Sequence, residues 1–525
     1  MHYHDDVHAD QSDVGQSLDP HAGNPQHDHA RTTDAYTRRM VLKRAGLAVV
    51  GGSALATLGA SSVSAAPQTS NEVWYNVNAY GAVGNGSTND TAAIQSAINA
   101  AAADGGGTVF LPAGTYRITA THEPGVRFYG LKVPSKITLK GAGRDATVIK
   151  IAENQPDQCR IIANDNQVTG GDHHITFEDF TVDGNAANQS TAKSMVGIMC
   201  LRAHYVQHLR VRVIDVKGSP QTQPEDDPND TCTNETLEQC SSNEGVFFDS
   251  HFCSFNSYTD CDATQIVAGT LITGSCFSAT GSTSIEYTGC RASKSSTWQG
   301  FTTSYSRHVQ YVNCHSFLNY QRGFNCEDSD DVHYVNCVAG GRSTSVDSAP
   351  YTANTSLGNT ADGFYIYQSQ RVQVSNCSSR QNQGGLVNHT SSDVRIIGGI
   401  FVGNRLAGLA FHSAADARST RISGGPIVAE NGTDTDKTFQ LVIAGTKYAT
   451  VLGSIAAPQL PDSGAGLYNP YPFDATVYIY GGAVQGISLA GQNIYGMVNG
   501  PVRVPAGTYI QVYYTSAPAW TWFID

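Results

Sequence analysis

One frame recurs through the middle of the chain and limits the folds open to it. Gly300-Phe301, Gly323-Phe324, Gly363-Phe364, Gly385-Leu386 and Gly408-Leu409 each open a row. Fourteen positions after the Gly comes Cys314, Cys337, Cys377 or, in the fourth row, Gly399. The same offset links Phe247 to Cys261 and Cys276 to Cys290. From Cys276 the rows step by 22 to 24 residues, apart from a longer insertion between Gly323 and Gly363. Each row holds short alternating runs such as Val309-Gln310-Tyr311-Val312, and none holds a helix-length periodic segment. A period of this size built from period-2 runs is a solenoid of strands. The fold class is therefore all-β, one coil of a parallel β-helix per row.

Just before the fourteenth position sits Asn313, Asn336, Asn376, Gly289 or Gly398. A coil must bend sharply between strands, and Asn and Gly tolerate the left-handed backbone that such a bend needs. The residue that follows then points inward. Cys261, Cys290, Cys314, Cys337 and Cys377 stack as a ladder of small buried thiols, about 4.8 Å apart. Disulfides or a metal site are the rival reading; a regular ladder with one thiol per rung is explained more simply by packing.

Other features set the context. The 525 residues include 53 Gly and carry a formal charge of −13, which argues against nucleic acid as a partner. Thr37-Arg38-Arg39-Met40-Val41-Leu42-Lys43 resembles the twin-arginine export motif. It is followed by an apolar stretch, 45–60, and a small-residue cleavage site, Val63-Ser64-Ala65-Ala66. Residues 1–66 are thus expected to be a leader and the protein to be secreted by that route. Twelve Cys in such a chain usually mean disulfides. Only Cys232 and Cys240, in the polar insertion 218–244, stand apart from the ladder and its neighbours. The acidic run Glu225-Asp226-Asp227 with Asp230 leaves a Ca²⁺ ion open as a cofactor, but the spacing of an EF-hand is missing.

Upstream of the rows the chain reads Asn78-Ala79-Tyr80-Gly81-Ala82, Gly84-Asn85-Gly86, Thr88-Asn89-Asp90-Thr91, and then Ala92 through Ala103. Gly105-Gly106-Gly107 and Leu111-Pro112-Ala113-Gly114-Thr115-Tyr116 follow. This is a turn, an N-capped amphipathic helix with Ile94, Ala97, Ile98 and Ala101 on one face, and a strand. Such a helix can plug the open end of a solenoid. The glycines precede a strand and lack a Gly-Lys-Ser/Thr ending, so they are not a phosphate loop. The segment resembles the N-terminal cap of the pectate-lyase superfamily, with Asn85 and Asn89 where Asp is common. With the coils, the resemblance covers roughly 73–450. It implies a right-handed parallel β-helix over 67–455 and, by family habit, action on acidic polysaccharides. Beyond a Pro/Gly/Ser stretch at 458–464, residues 456–525 resemble small β-sandwich modules appended to such proteins. Trp520, Trp522 and Phe523 there are expected in the module's core or an oligomer contact, with sugar stacking as the other option.

A β-helix interior is filled, so chemistry belongs on an outer face. The large apolar residue after each opening Gly points in; by period 2, offsets two and four from the Gly point out. Offset four gives His251, Thr280, Ser304, Glu327, Tyr367, His389 and His412; offset two gives Asp249, Ser278, Thr302, Asn325, Tyr365, Val387 and Ala410. Arg322 and Asp362 precede their glycines and flank the column. The candidate catalytic residues are Tyr367, His389, Asp362 and Glu327; the candidate substrate-binding residues are Arg322, His412, Asn325 and Tyr365; no metal ligand is assigned. A carboxylate, a phenol and imidazoles can serve as acid and base, and Arg322 suits a uronate carboxylate.

The expected activity is therefore a polysaccharide lyase that cleaves a uronic-acid-containing polymer by β-elimination. Two alternatives stay open. Asn359-Thr360-Ala361-Asp362-Gly363-Phe364 resembles the Asn-Thr-Asp-Gly-Phe motif of polygalacturonase-type hydrolases, with Ala361 inserted. The Asp pair expected near Gln383-Gly384, the Gly-His-Gly near Ala407 and the Arg-Ile-Lys motif are missing. The Arg-x-Pro-x-x-Arg pattern of well-known pectate lyases is missing too. The other alternative is a non-catalytic, tailspike-like glycan binder. Whichever the activity, a homotrimer stays open as the assembly.

Overall fold

The computed structural model describes residues 74–123, 127–156, 159–167, 169–190, 195–218, 247–250, 253–268, 275–295, 299–341, 358–433, 436, 439–448, 453–455, 457–494 and 500–524. The leader with Arg38 and Arg39, Cys232 and Cys240, the acidic run at 225–230, His251 and most of the 339–360 insertion lie outside them. The chain divides into two units, 1–69 and 70–525, and every described residue belongs to the second.

Each coil lays one strand on each of three sheets. Phe324–Glu327 lies on the first sheet, Asp330–Val335 on the second and Val338–Gly340 on the third, before Phe364–Tyr367 returns to the first. The sheets hold 13, 12 and 13 strands. Pairing is parallel throughout, except for a hairpin at each end of the first sheet. The parallel β-helix read from the sequence is therefore the observed fold. The bend between the second and third sheets is left-handed at each expected residue: φ is 67° at Gly289, 54° at Asn313, 53° at Asn336, 51° at Asn376 and 62° at Gly398.

Identical residues stack up the interior. Phe277, Phe301, Phe324 and Phe364 lie ring on ring at 4.8–4.9 Å. Tyr258, Tyr287, Tyr311 and Tyr334 do the same at 4.7–4.9 Å. Beside them runs the thiol ladder, fully buried and unbridged. Its backbone is in step: His315 N–H donates to Cys290 O, Val338 N–H to Cys314 O and Ser378 N–H to Cys337 O, each at 2.8–2.9 Å. Fully burying one such aromatic contributes about 1.5–3 kcal/mol, and stacking adds about 0.5–1.5 kcal/mol.

A further ladder was not anticipated. Asn319, Asn359, Asn382, Asn404 and Asn431 are all buried at the bend that leads back to the first sheet. Each side-chain amide donates to the next Asn oxygen at 3.0 Å, from Asn319 to Asn359 and from Asn359 to Asn382. Asn382 takes up the pattern with its backbone N–H, which donates to Asn404 Oδ1 at 3.2 Å. The chain of amides satisfies polar groups that the bend would otherwise bury unpaired.

The N-terminal helix, Thr91–Ala103, buries Ile94, Ala97, Ile98 and Ala101, as its face predicted. Gln95 bonds both ways with the backbone of Lys132, at 2.9 and 3.0 Å, and so covers the edge of the last parallel strand of the first sheet beyond the hairpin. Asp90 makes no side-chain bond to the helix it precedes; its carboxylate accepts from Val83 and Gly84 N–H instead and ties down the preceding turn. At the other end a short helix, Ala414–Ser419, opens with a capping box between Ser413 and Asp416. Two four-stranded antiparallel sheets form the C-terminal module. Trp520 and Trp522 lie in its core. Its first strand, Gly453–Ile455, pairs with Trp522–Ile524, so the module includes residues that the sequence boundary left to the solenoid.

Candidate active site on the first sheet

The expected alternation on the first sheet gives exposed outward side chains only in the later coils: Ser278, Thr280, Thr302, Ser304 and the candidate binding residue Asn325 are outward by register but buried. Phe324, Cys326, Phe364 and Ile366 are buried in the core, while Glu327, Tyr365 and Tyr367 are partly exposed. The register runs Ser304, Glu327, Tyr367, His389 and, beside it, Thr302, Asn325, Tyr365, Val387. His412 completes the first column, its ring 3.9 Å from that of His389. The earliest row departs from expectation. Phe247 pairs with Phe277, so Phe248 rather than Asp249 stands opposite Ser278, and Ser250 rather than His251 stands opposite Thr280. That row carries an extra residue between its first-sheet strand and Cys261, which slips the count by one.

Around Arg322 the side chains converge. Its Nη1 bonds Asn325 Oδ1 at 2.9 Å and Glu327 Oε1 at 3.3 Å. Its guanidinium carbon lies 3.5 Å over the Tyr365 ring. The Tyr365 hydroxyl stands 3.1 Å from His389 Nδ1, and the Tyr367 ring packs edge-on against His389 at 5.0 Å. The predicted site residues thus come together, but with two roles rearranged. Tyr365, expected to bind, makes the hydrogen bond to the imidazole; Tyr367, expected to act, meets His389 and Tyr365 through ring contacts. Glu327 is engaged by Arg322.

Asp362 completes the group. Burial pushes its carboxyl up to about 6, against the opposing pull of the Arg322 charge. Burial also raises the Tyr365 phenol above its usual range, again with Arg322 opposing. The space for Asp362 comes from Gly384 in the next coil: a Cβ there would fall 2.2 Å from Asp362 Oδ1. Asn359, the first residue of the hydrolase-like motif, is a rung of the asparagine ladder. Asp330 opens the next strand and pairs with Arg371. No group of three or more acidic, His or Cys side chains suited to a metal ion occurs among the described residues.

Residues 74–325 match the family model described as rhamnogalacturonase A/epimerase, pectate lyase-like. The A-module of mannuronan C-5 epimerase AlgE4 from Azotobacter vinelandii superposes with a TM-score of 0.50 at 19% identity, covering 70% of this chain and 97% of that one. Residues 74–325 thus carry the pectate-lyase-like family match, and the fold shared with that A-module is the parallel β-helix. In sequence, it is 43% identical over 124 residues to mannuronan C5-epimerase AlgE4 and 42% identical over 115 residues to alginate lyase 7, both from Azotobacter vinelandii. These stretches are 22% of this chain, and 20% and 13% of those two proteins. The family match ends at residue 325, before the coils that carry Tyr365 and His389. What the chain does at that site therefore has to be argued from its own geometry.

Proposed function

We propose that this protein abstracts the C5 proton from a uronate residue of an acidic polysaccharide and completes the reaction by β-elimination. One observation carries the reading: a guanidinium fixed over a tyrosine ring, with that tyrosine's hydroxyl on an imidazole, on the open face of a solenoid. Arg322 pairs with the uronate carboxylate and stabilises the charge that grows there as the C5–H bond breaks. Tyr365 takes that proton as its own passes to His389 Nδ1, so no free phenolate has to form. The C5 electron pair forms the C4–C5 double bond, the C4–O4 bond breaks, and Asp362, protonated below about 6, gives its proton to the leaving oxygen. Asn325 and Glu327 hold Arg322 in place.

A second reading shares the first step. The relatives' names include C5-epimerases as well as an alginate lyase. In an epimerase, C4–O4 stays intact and a proton returns to C5 on the opposite face. Both readings are consistent with an exported protein, and we place it outside the cell by the twin-arginine route. Incubating it in D₂O with alginate, polygalacturonate and glucuronan separates the outcomes. Ultraviolet-absorbing unsaturated ends mean elimination, and deuterium at C5 without cleavage means epimerisation. Reducing ends alone mean hydrolysis. No change in any polymer would overturn the proposal.

A further inference from the structure

One residue beyond the catalytic column, the chain turns from the first sheet into the second. Tyr305, Asp328, Gln368 and Thr390 occupy this turn in successive coils, all left-handed, with φ of 49°, 46°, 45° and 58°. They are in step: Tyr305 N–H donates to Glu327 O, Asp328 N–H to Tyr367 O and Gln368 N–H to His389 O, each at 3.1 Å. Two positions further on come Arg307, Asp330, Gln370 and Ser392. Between the two rows lies a groove of about 420 Å³. Its floor is a ladder of buried serines, where Ser306 N–H donates to Ser329 Oγ at 3.1 Å and Ser329 N–H to Ser369 Oγ at 3.1 Å.

We propose that this groove is a second saccharide subsite, which holds a neutral sugar residue of the substrate beside the catalytic column. The proposal rests on the reading that the substrate is a uronic polysaccharide, and it narrows that substrate to one that also contains neutral sugars. Three features support it. Tyr305 is 58% exposed at the rim, and its side chain is hydrogen-bonded to Asp328, so an aromatic ring is held in place where a sugar ring can pack. The lining is otherwise made of groups that read hydroxyls: Asp328, Asp330, Gln368 and Gln370. Asp330 Oδ1 is buried without a partner among the described residues, while its other oxygen takes Arg371. Such an acceptor costs stability, and a small turn of the carboxylate toward the groove would bring it to a sugar hydroxyl, which is a donor.

Charge decides which sugar. The lining has two carboxylates and one guanidinium, Arg307, while Arg371 pairs with Asp330 from outside it, so the groove has no excess of positive charge to draw a uronate. Burial and the charge of Glu327 already push the Asp328 carboxyl up, so a further carboxylate is disfavoured. The catalytic group has the opposite character, with Arg322 at its centre. A uronate suits one place and a neutral glycosyl residue the other.

Native affinity electrophoresis tests this without any turnover. The full chain is run through gels that contain soluble galactan, mannan or β-glucan, and through gels that contain alginate. Retardation by at least one neutral polymer is expected, weakened about tenfold in Tyr305→Ala and in Gln370→Ala. Turnover of both variants on a pure uronan should match wild type. No retardation by any neutral polymer overturns the proposal, as does retardation that neither variant weakens. Retardation by alginate that both variants abolish also overturns it, because the groove would then hold uronate. If the gels give the expected result but no polymer is eliminated or epimerised, the catalytic reading fails and the groove stands.

Discussion

Asp362→Asn should raise stability and destroy activity, and the two effects should separate by pH. Burial has moved the carboxyl from 3.8 to about 6. At about 1.4 kcal/mol per pH unit, that corresponds to on the order of 3 kcal/mol. The raised value means that, between the two pKa values, the folded protein holds a proton which the unfolded chain has released. The stability from this proton is complete below the unfolded value and is lost as pH rises through about 6. An amide has no charge to bury, so the variant should match wild type at low pH and exceed it at high pH. Unfolding entropy of about 2.1 cal/mol/K per residue makes a unit of this size shift by about 1 °C per kcal/mol, so Tm should rise by about 3 °C at alkaline pH. Turnover should fall by about 10²–10⁴, because the amide cannot give its proton to O4. Wild-type rates should themselves decline as pH rises through about 6. Thermal melts in acidic and alkaline buffer, with initial rates of unsaturated product, check all of this. An equal Tm change at both pH values, or near wild-type turnover, would refute the reasoning.

Tyr365→Phe should lower turnover by about 10²–10⁴ with little change in folding, whereas Tyr367→Phe should cost far less; equal losses would mean the hydroxyl on His389 is not the acting one. Asn382→Ala removes bonds to Ala339 O and Ser379 Oγ and leaves two Asn359 donors without their acceptor. Denaturant unfolding should show a loss of about 2–5 kcal/mol, against little change for the exposed Thr360→Ala. Replacing both Arg38 and Arg39 by Lys should leave the protein inside the cell, as read by fractionation and immunoblotting; undiminished export would argue against the twin-arginine route.

The coils were legible because the period is carried by residues with few alternatives. The left-handed bend before the inward Cys favours Asn and Gly, so Asn313, Asn336 and Asn376 announce it in sequence, while Asp260, Arg210 and Asp179 make the same bend in earlier coils without that mark. The asparagine ladder left an equally regular trace that went unread: Asn319, Asn382 and Asn404 each follow the fourteenth position by five. Asn359 breaks that count because it re-enters after the insertion. The helix at 414–419 had its own mark, Ser413 and Asp416 at capping-box spacing, hidden by the fading repeat. The slip in the first row was harder to see, because aligning rows on Cys261 hides a residue gained upstream of it. Pairing of Phe247 with Phe277 is a tertiary fact.

At the site, period 2 correctly brought the candidates to one face but could not choose between them. Tyr367 stands in register with His389, and Tyr365 in register with Val387, so sequence reasoning gives the partnership to Tyr367. Diagonal neighbours on adjacent strands are about 7–8 Å apart, which a tyrosine spans, and the hydroxyl that arrives is that of Tyr365. Arg322 lies against the same ring and favours this arrangement. Gly384 shows the opposite error. Set beside a hydrolase motif, it looks like a missing carboxylate. In the structure it is the clearance that lets Asp362 occupy a largely desolvated position near the Arg322 charge, since any larger residue would meet that carboxylate. A second Asp at 384 would displace the first. The departure from the hydrolase pattern and the raised pKa of Asp362 therefore have one physical cause: a single carboxyl confined beside a fixed cation, an arrangement suited to giving up one proton.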